Sequence, residues 1–141
     1  MNATQANADA LPQRACEAVL RLLPEAEALY LFGSRARADA QPQSDLDLAV
    51  LSATPLAPLL RFETQRELSG LLGLDVDLVD LHKANSVLRA QVVTQGRLLY
   101  RRDADRTLDF EARVLGEYAE LLDATHALRE RVRERGQAYA Q

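Results

Sequence analysis

Tryptophan is absent from this chain, phenylalanine occurs three times and tyrosine four, and Cys16 is the only cysteine. A lone cysteine excludes an intramolecular disulfide and fits a reducing compartment. Cys16 falls within a helical pattern, where it reads as a buried structural thiol rather than a reactive one. With so few aromatic rings, leucine, valine and alanine must build the core. No apolar run approaches the ~20 residues that span a bilayer, and no basic flank precedes a long apolar stretch as in a signal peptide. The expected location is therefore the cytoplasm, with no membrane contact. A basic excess is missing too. The net charge of −4 and pI near 5.2 argue against a dedicated nucleic-acid binder, which would carry a basic face. At 141 residues the chain suits one domain with a real core, and no repeat, low-complexity tract or linker divides it.

Residues 1–9 are small and polar and read as a flexible start. Over 11–23, Ala15, Val19, Leu20, Leu22 and Leu23 recur at helical spacing until Pro24 stops the run. ALYLF (28–32) is a short apolar strand ending at Gly33, and 34–40 reads as the first turns of a helix with Ser34 at its start. After the turn QPQS (41–44), DLDLAVL (45–51) alternates strictly. Leu46, Leu48 and Val50 share one face, and Asp45, Asp47 and Ala49 the other.

SATP (52–55) signals the start of a helix over about 56–72 that stops at Gly73. LDVDLVDL (74–81) is a second alternating strand, with Asp75, Asp77 and Val79 on one side and Asp80 on the other as a strand-end charge. A short helix over 84–91 leads to an edge strand at 97–100. One long amphipathic helix then runs over 105–135, placing the C-terminal helix at 104–136 with Gly136 ending it. Leu108, Val114, Leu115, Tyr118, Leu121, Leu122, Leu128 and Val132 lie along it at helical intervals. Four strand segments among helices define an α+β chain.

The candidate site lies in GSRARADAQPQSDLDLAVL (33–51). Two aspartates two apart on a strand share a face, about 7 Å apart at Cα. Such a pair alone is most simply polar-out alternation. Here it follows a Gly-Ser turn after an apolar strand, and a second acidic strand comes later. Like charges this close raise each other's proton affinity unless a cation lies between them, and oxygen ligands of this kind suit Mg²⁺, which favours a partner bearing phosphate. Gly33 lets the backbone approach a ligand, and Ser34 offers a hydroxyl and an N–H.

This pattern, Gly33-Ser34, ten residues, Asp45-x-Asp47 and later Asp77 within VDLV, resembles the polymerase β-type nucleotidyltransferases. More narrowly it resembles their minimal nucleotidyltransferase (MNT) members, over residues 15–100. The resemblance implies a small mixed sheet of about four strands flanked by helices. It also implies a phosphate-binding turn at Gly33 and Ser34, and two divalent cations, Mg²⁺, held by Asp45, Asp47 and Asp77. Asp75 is the rival for the third acid. Arg35 and Arg37 are candidates for triphosphate or partner contact. Ala38 stands where many relatives have glycine.

With its long last helix, the chain also resembles the MNT antitoxins encoded beside HEPN-type toxins. Those antitoxins are understood to transfer AMP from ATP to a toxin tyrosine, silencing its RNase activity. The expected partner is then a HEPN toxin from the adjacent gene, bound in a hetero-oligomer. Two alternatives stand: modification of a small molecule such as an aminoglycoside, for which the chain lacks an acceptor-holding domain, and a non-catalytic antitoxin acting by binding alone. Polymerisation is disfavoured by the missing thumb and basic track. No Arg-x4–6-His motif marks the chain as the toxin itself. His82 and His126 have no second ligand at metal spacing and read as packing or surface residues.

Overall fold

The computed structural model describes residues 3–37 and 40–140, with side chains over 10–37 and 40–137. In chain order the elements are α1 (Ala3–Leu22), β1 (Ala26–Phe32), β2 (Leu46–Ser52), α2 (Pro58–Leu72), β3 (Val76–Asp80), α3 (Ser86–Gln95), β4 (Arg97–Arg101) and α4 (Ala104–Ala140). The four strands form one mixed sheet in the order β3-β2-β1-β4. β1 pairs antiparallel with β2 and β4, and β2 pairs parallel with β3 through the α2 crossover, the long connection that parallel neighbours require.

Alternation along the strands sends apolar side chains to both faces, and helices cover both. Leu29, Leu31, Leu48 and Leu78 pack with Val19 of α1 and Leu68 of α2. Ala28, Tyr30, Ala49 and Leu51 pack on the other face with Val92 of α3 and with Phe110 of α4. A sheet covered on both sides leaves little of β2 exposed, so the simple inward–outward alternation holds only near Asp47, which is half-buried.

The outer edge of β3 is closed by side chains of α2. Gln65 Oε1 accepts from Leu78 N (2.9 Å) and Ser69 Oγ from Val76 N (3.0 Å), while Arg61 donates to Leu78 O (3.0 Å). Such cover satisfies groups that would otherwise template pairing with another chain. α4 is capped by Asp103, whose Oδ1 accepts from Asp105 N and Arg106 N, satisfying two of its unpaired first-turn donors. Tyr30 Oη donates to Glu111 Oε1 (2.7 Å) and Arg89 pairs with Glu117 (3.6 Å), fastening α4 to β1 and α3. Burial raises the Tyr30 proton affinity first, and Glu111 adds to it.

Several boundaries differ from the sequence reading. α1 begins at Ala3 rather than near residue 11 and runs through Pro12, carried by the alanines of its first half, the best helix formers. α2 begins with Pro58 at its first turn and no side-chain cap, so SATP is a connection and not a cap. Beyond Gly33 the described backbone makes one turn, with Arg37 N donating to Gly33 O and Ser34 O, rather than the start of a helix. Ala38 lies outside the described residues. Gly136 does not end α4, which continues to Ala140. An exposed glycine costs a helix only about 1 kcal/mol, too little to stop one that continues into alanine and glutamine. Of the apolar residues expected on the core side of α4, Val114 is buried, while Leu108, Leu115, Leu121, Leu122, Leu128 and Val132 are exposed.

Asp80 differs most in role. It is 3% exposed, accepting from Leu56 N (2.8 Å) and His82 N (2.9 Å), and so locks the 53–57 connection to the end of β3. His82 Nε2 lies 2.6 Å from Ser52 O, a packing role as expected. Asp80→Ala strands two donors, the buried Leu56 N and the part-buried His82 N, and chemical denaturation should show a loss of about 2–3 kcal/mol without loss of helix content in the folded state.

Candidate active site

β1 ends at Phe32, and Gly33 turns the chain away from the sheet at φ 75°, a left-handed conformation that side-chain-bearing residues rarely adopt. A Cβ at Gly33 would overlap Asp47 Oδ2. Position 33 therefore needs glycine twice, for its dihedral and for the carboxylate folded over it. The ten-residue spacer returns to the sheet under the control of Arg35. Its guanidinium donates to Ser44 O (2.8 and 3.1 Å) and Pro42 O (3.2 Å), and Ser44 Oγ accepts from Gln41 N (2.8 Å). Leu46 N then bonds Asp75 O (2.9 Å), which registers β2 against the approach to β3.

Register decides what meets what. Asp47 lies opposite Phe32 on β1 and opposite Asp77 on β3, with neighbouring strands about 4.8 Å apart. Asp77, not Asp75, is thus the β3 carboxylate in register with Asp47, while Asp75 precedes β3 and uses its carbonyl to hold Leu46. Asp45 stands just before β2. Asp47 is half-buried, and Asp45 and Asp77 are exposed. The Asp47 carboxyl holds its proton more tightly than usual because it is buried and because Asp77 and then Asp45 lie near; Arg37 opposes this. Arg37 therefore faces the acids, whereas Arg35 is committed to the spacer's carbonyls.

Among the described residues, no three carboxylate, imidazole or thiol groups close into a metal cage. Unscreened like charges repel, which favours spread rotamers. The donor set still suits a hard divalent cation. Asp47 and Asp77 are anionic oxygen ligands on adjacent strands, and an ion between them would remove the field that raises Asp47. A cation of the Mg²⁺ type needs only one or two protein carboxylates when phosphate supplies further oxygens. Cys16 is half-buried, its thiol pushed up first by burial and then by Glu17, and it points to Leu99 O, a packing role. Sequence reasoning missed Phe32 as the cross-strand neighbour of Asp47, although its place just before Gly33 marked it.

A βαβ crossover carrying paired acids beside a Gly-Ser turn defines a nucleotidyl-transfer fold. The family model described as polymerase beta, nucleotidyltransferase matches residues 15–105, and the chain belongs to that family; it is a nucleotidyltransferase. Among curated proteins it is similar to the protein adenylyltransferase MntA of Shewanella oneidensis, 40% identical over 99 residues and 70% of each chain. It is also similar to MntA of Aphanizomenon flos-aquae, 31% identical over 70% of this chain and 75% of that one. A solved toxin–antitoxin structure with AMP-PNP superposes at TM-score 0.76 and 35% identity, over 86% of this chain and 97% of the other. A tri-AMPylated Shewanella oneidensis HEPN toxin in complex with MNT antitoxin gives 0.73 and 33%, over 89% and 98%. No helix among the described residues is long and apolar enough to cross a membrane.

Two predictions follow from Asp47. Its proton affinity is raised in the folded chain, so in metal-free buffer the ionised carboxylate lowers stability at neutral pH. That penalty fades as pH falls through the raised folded value and is gone below the ordinary 3.8. Asp47→Asn should therefore melt above the wild type at pH 7 without divalent ions, and the two melting temperatures should converge near pH 3.5. Gly33→Ala, measured by the same melts and by nucleotide-transfer rate, should lose at least about 100-fold in rate, the scale of a 1 Å misplacement at a reacting centre, while still folding.

Proposed function

We propose that this chain is a Mg²⁺-dependent protein adenylyltransferase that acts as an antitoxin, moving AMP from ATP onto a tyrosine hydroxyl of a cognate HEPN toxin and so neutralising it. The observation that carries the reading is the in-register Asp47–Asp77 pair beneath a left-handed glycine whose Cβ, if present, would meet the Asp47 carboxylate. It is supported by similarity to proteins named protein adenylyltransferase MntA and to complexes of HEPN toxin with MNT antitoxin. The adjacent gene is the expected source of the toxin.

In this reading the Gly33–Ser34 turn receives the triphosphate through backbone N–H groups and the Ser34 hydroxyl. Arg37 adds positive charge on the acid side, and Arg35 keeps the spacer folded so that Asp45 and Asp47 arrive together. Asp45, Asp47 and Asp77 hold the metal. When bound, Mg²⁺ supplies charge neutralisation for the reacting phosphate and for the departing pyrophosphate. The tyrosine oxygen forms a bond to the α-phosphorus, the bond from that phosphorus to the α–β bridging oxygen breaks, and pyrophosphate leaves with those electrons. The hydroxyl proton passes to a carboxylate of the site, Asp77 serving either as that acceptor or only as a metal ligand. Such transfer depends on position and charge more than on covalent chemistry, so a small domain suffices.

The test incubates the purified chain with each NTP, Mg²⁺ and the neighbouring toxin, and reads intact masses. An AMP increment on the toxin is expected with ATP, and its absence with every NTP would remove the transferase reading. The double variant Asp45→Asn with Asp47→Asn should abolish transfer and still fold, since neither side chain belongs to the core. His82→Ala should keep its rate within a few-fold. Mg²⁺ with ATP should raise the melting temperature of the wild type and leave the double variant unchanged; an equal rise in both would remove the metal assignment.

A further inference from the structure

α4 carries a second apolar stripe that does not face the domain. Leu108, Ala112, Leu115, Ala119 and Leu122 follow one another at alternating steps of four and three and are all exposed, Leu108 at 64%, Leu115 at 43% and Leu122 at 50%. The face that packs on the domain, through Thr107, Phe110 and Val114, lies roughly a third of a turn away around the helix. Single exposed leucines are ordinary, but three in register with two alanines between them form a seam of coiled-coil spacing.

We propose that this seam pairs with the same seam of a second copy of the chain, running antiparallel. The stripe is self-complementary in one register. Leu115 lies over Ala119 of the second copy and Ala112 over Leu122, and the two-fold axis repeats both layers, so Leu115 and Leu122 each meet an alanine. One step outward Leu108 meets His126, and one step further Asp105 meets Arg129, an opposite-charge pair closing each end of the seam. Large-on-small layers let two helices approach closely, and terminal ion pairs favour this register and direction over a parallel one. The contact extends over residues 105–129, roughly 36 Å of helix, and is isologous, as two-fold pairing requires. Asp109 and Asp123 flank the seam with like charge, which weakens the association. The proposal is independent of the transferase reading, because it uses none of the residues at 33–47 or 77.

Sedimentation of the full chain alone, from one to several hundred micromolar, tests it. The mass should rise with concentration from 15.6 kDa toward twice that value. Leu115→Glu should stay monomeric throughout with unchanged circular dichroism. Ala119→Leu, which sets leucine on leucine, should weaken pairing at least tenfold, and adding Leu115→Ala should restore it, because alanine then meets leucine again. A single 15.6-kDa species at every concentration overturns the proposal. So does a mass that grows only when the toxin is added, which would give this face to the toxin. Pairing by Leu115→Glu as strong as the wild type, or failure of the swap to rescue, overturns it too.

Discussion

The molecule is organised around the crowding of negative charge at Asp47. A half-buried carboxylate with Asp77 alongside and Asp45 two residues back is unfavourable in the metal-free chain, as its raised proton affinity records. It persists because β2 has no freedom to relieve it. β2 is hydrogen-bonded on both edges, and its apolar side chains are packed on both faces, Leu48 on one and Ala49 on the other. A shift by one residue would drive Asp47 into the α1–α2 layer and Leu48 out of it, a far larger penalty than the repulsion it would remove. The core thus fixes the position of an acid that would not choose its place.

Arginine and glycine complete that arrangement from the other side. Gly33 leaves room for Asp47 Oδ2, and Arg35 ties the spacer down by three hydrogen bonds to main-chain carbonyls. The two arginines of the turn divide their work: Arg35 positions backbone, and Arg37 contributes field at the acid. Their sequence positions, two apart, give no hint of the division.

What was legible beforehand was whatever local chemistry dictates. The Gly-Ser turn and the Asp-x-Asp alternation follow from spacing and pleat, and the four strands from their apolar runs; Asp75 and Asp77 share a face, and preferring Asp77 rested on the family resemblance until the β2–β3 register set it opposite Asp47. What escaped depended on tertiary partners. Asp80 sits on the core side of its strand, as the alternation required, yet its place as a buried acceptor needed Leu56 N, twenty-four residues earlier in the chain. The length of α1 depended on weak alanine propensities that a polar composition hid. Gly136 looked like a terminator because glycine usually stops helices through a left-handed turn that other contacts stabilise, yet α4 runs on through it to Ala140.

The same reasoning explains why α4 misled. Its apolar residues have good helical spacing, and such spacing normally reports burial within the same chain. Here the domain covers only the face around Val114, and the remaining leucines stand free. A helix exposing that much apolar surface is stable beside the domain because Asp103 caps it and Tyr30 and Arg89 tether it through Glu111 and Glu117. The Tyr30 tether has a consequence for the site. It anchors α4 to the strand whose next residues are Leu31, Phe32 and Gly33, so the helix surface and the Gly33 turn belong to one braced unit. Whatever binds α4, a second copy of the chain included, is thereby held in a fixed relation to Asp47.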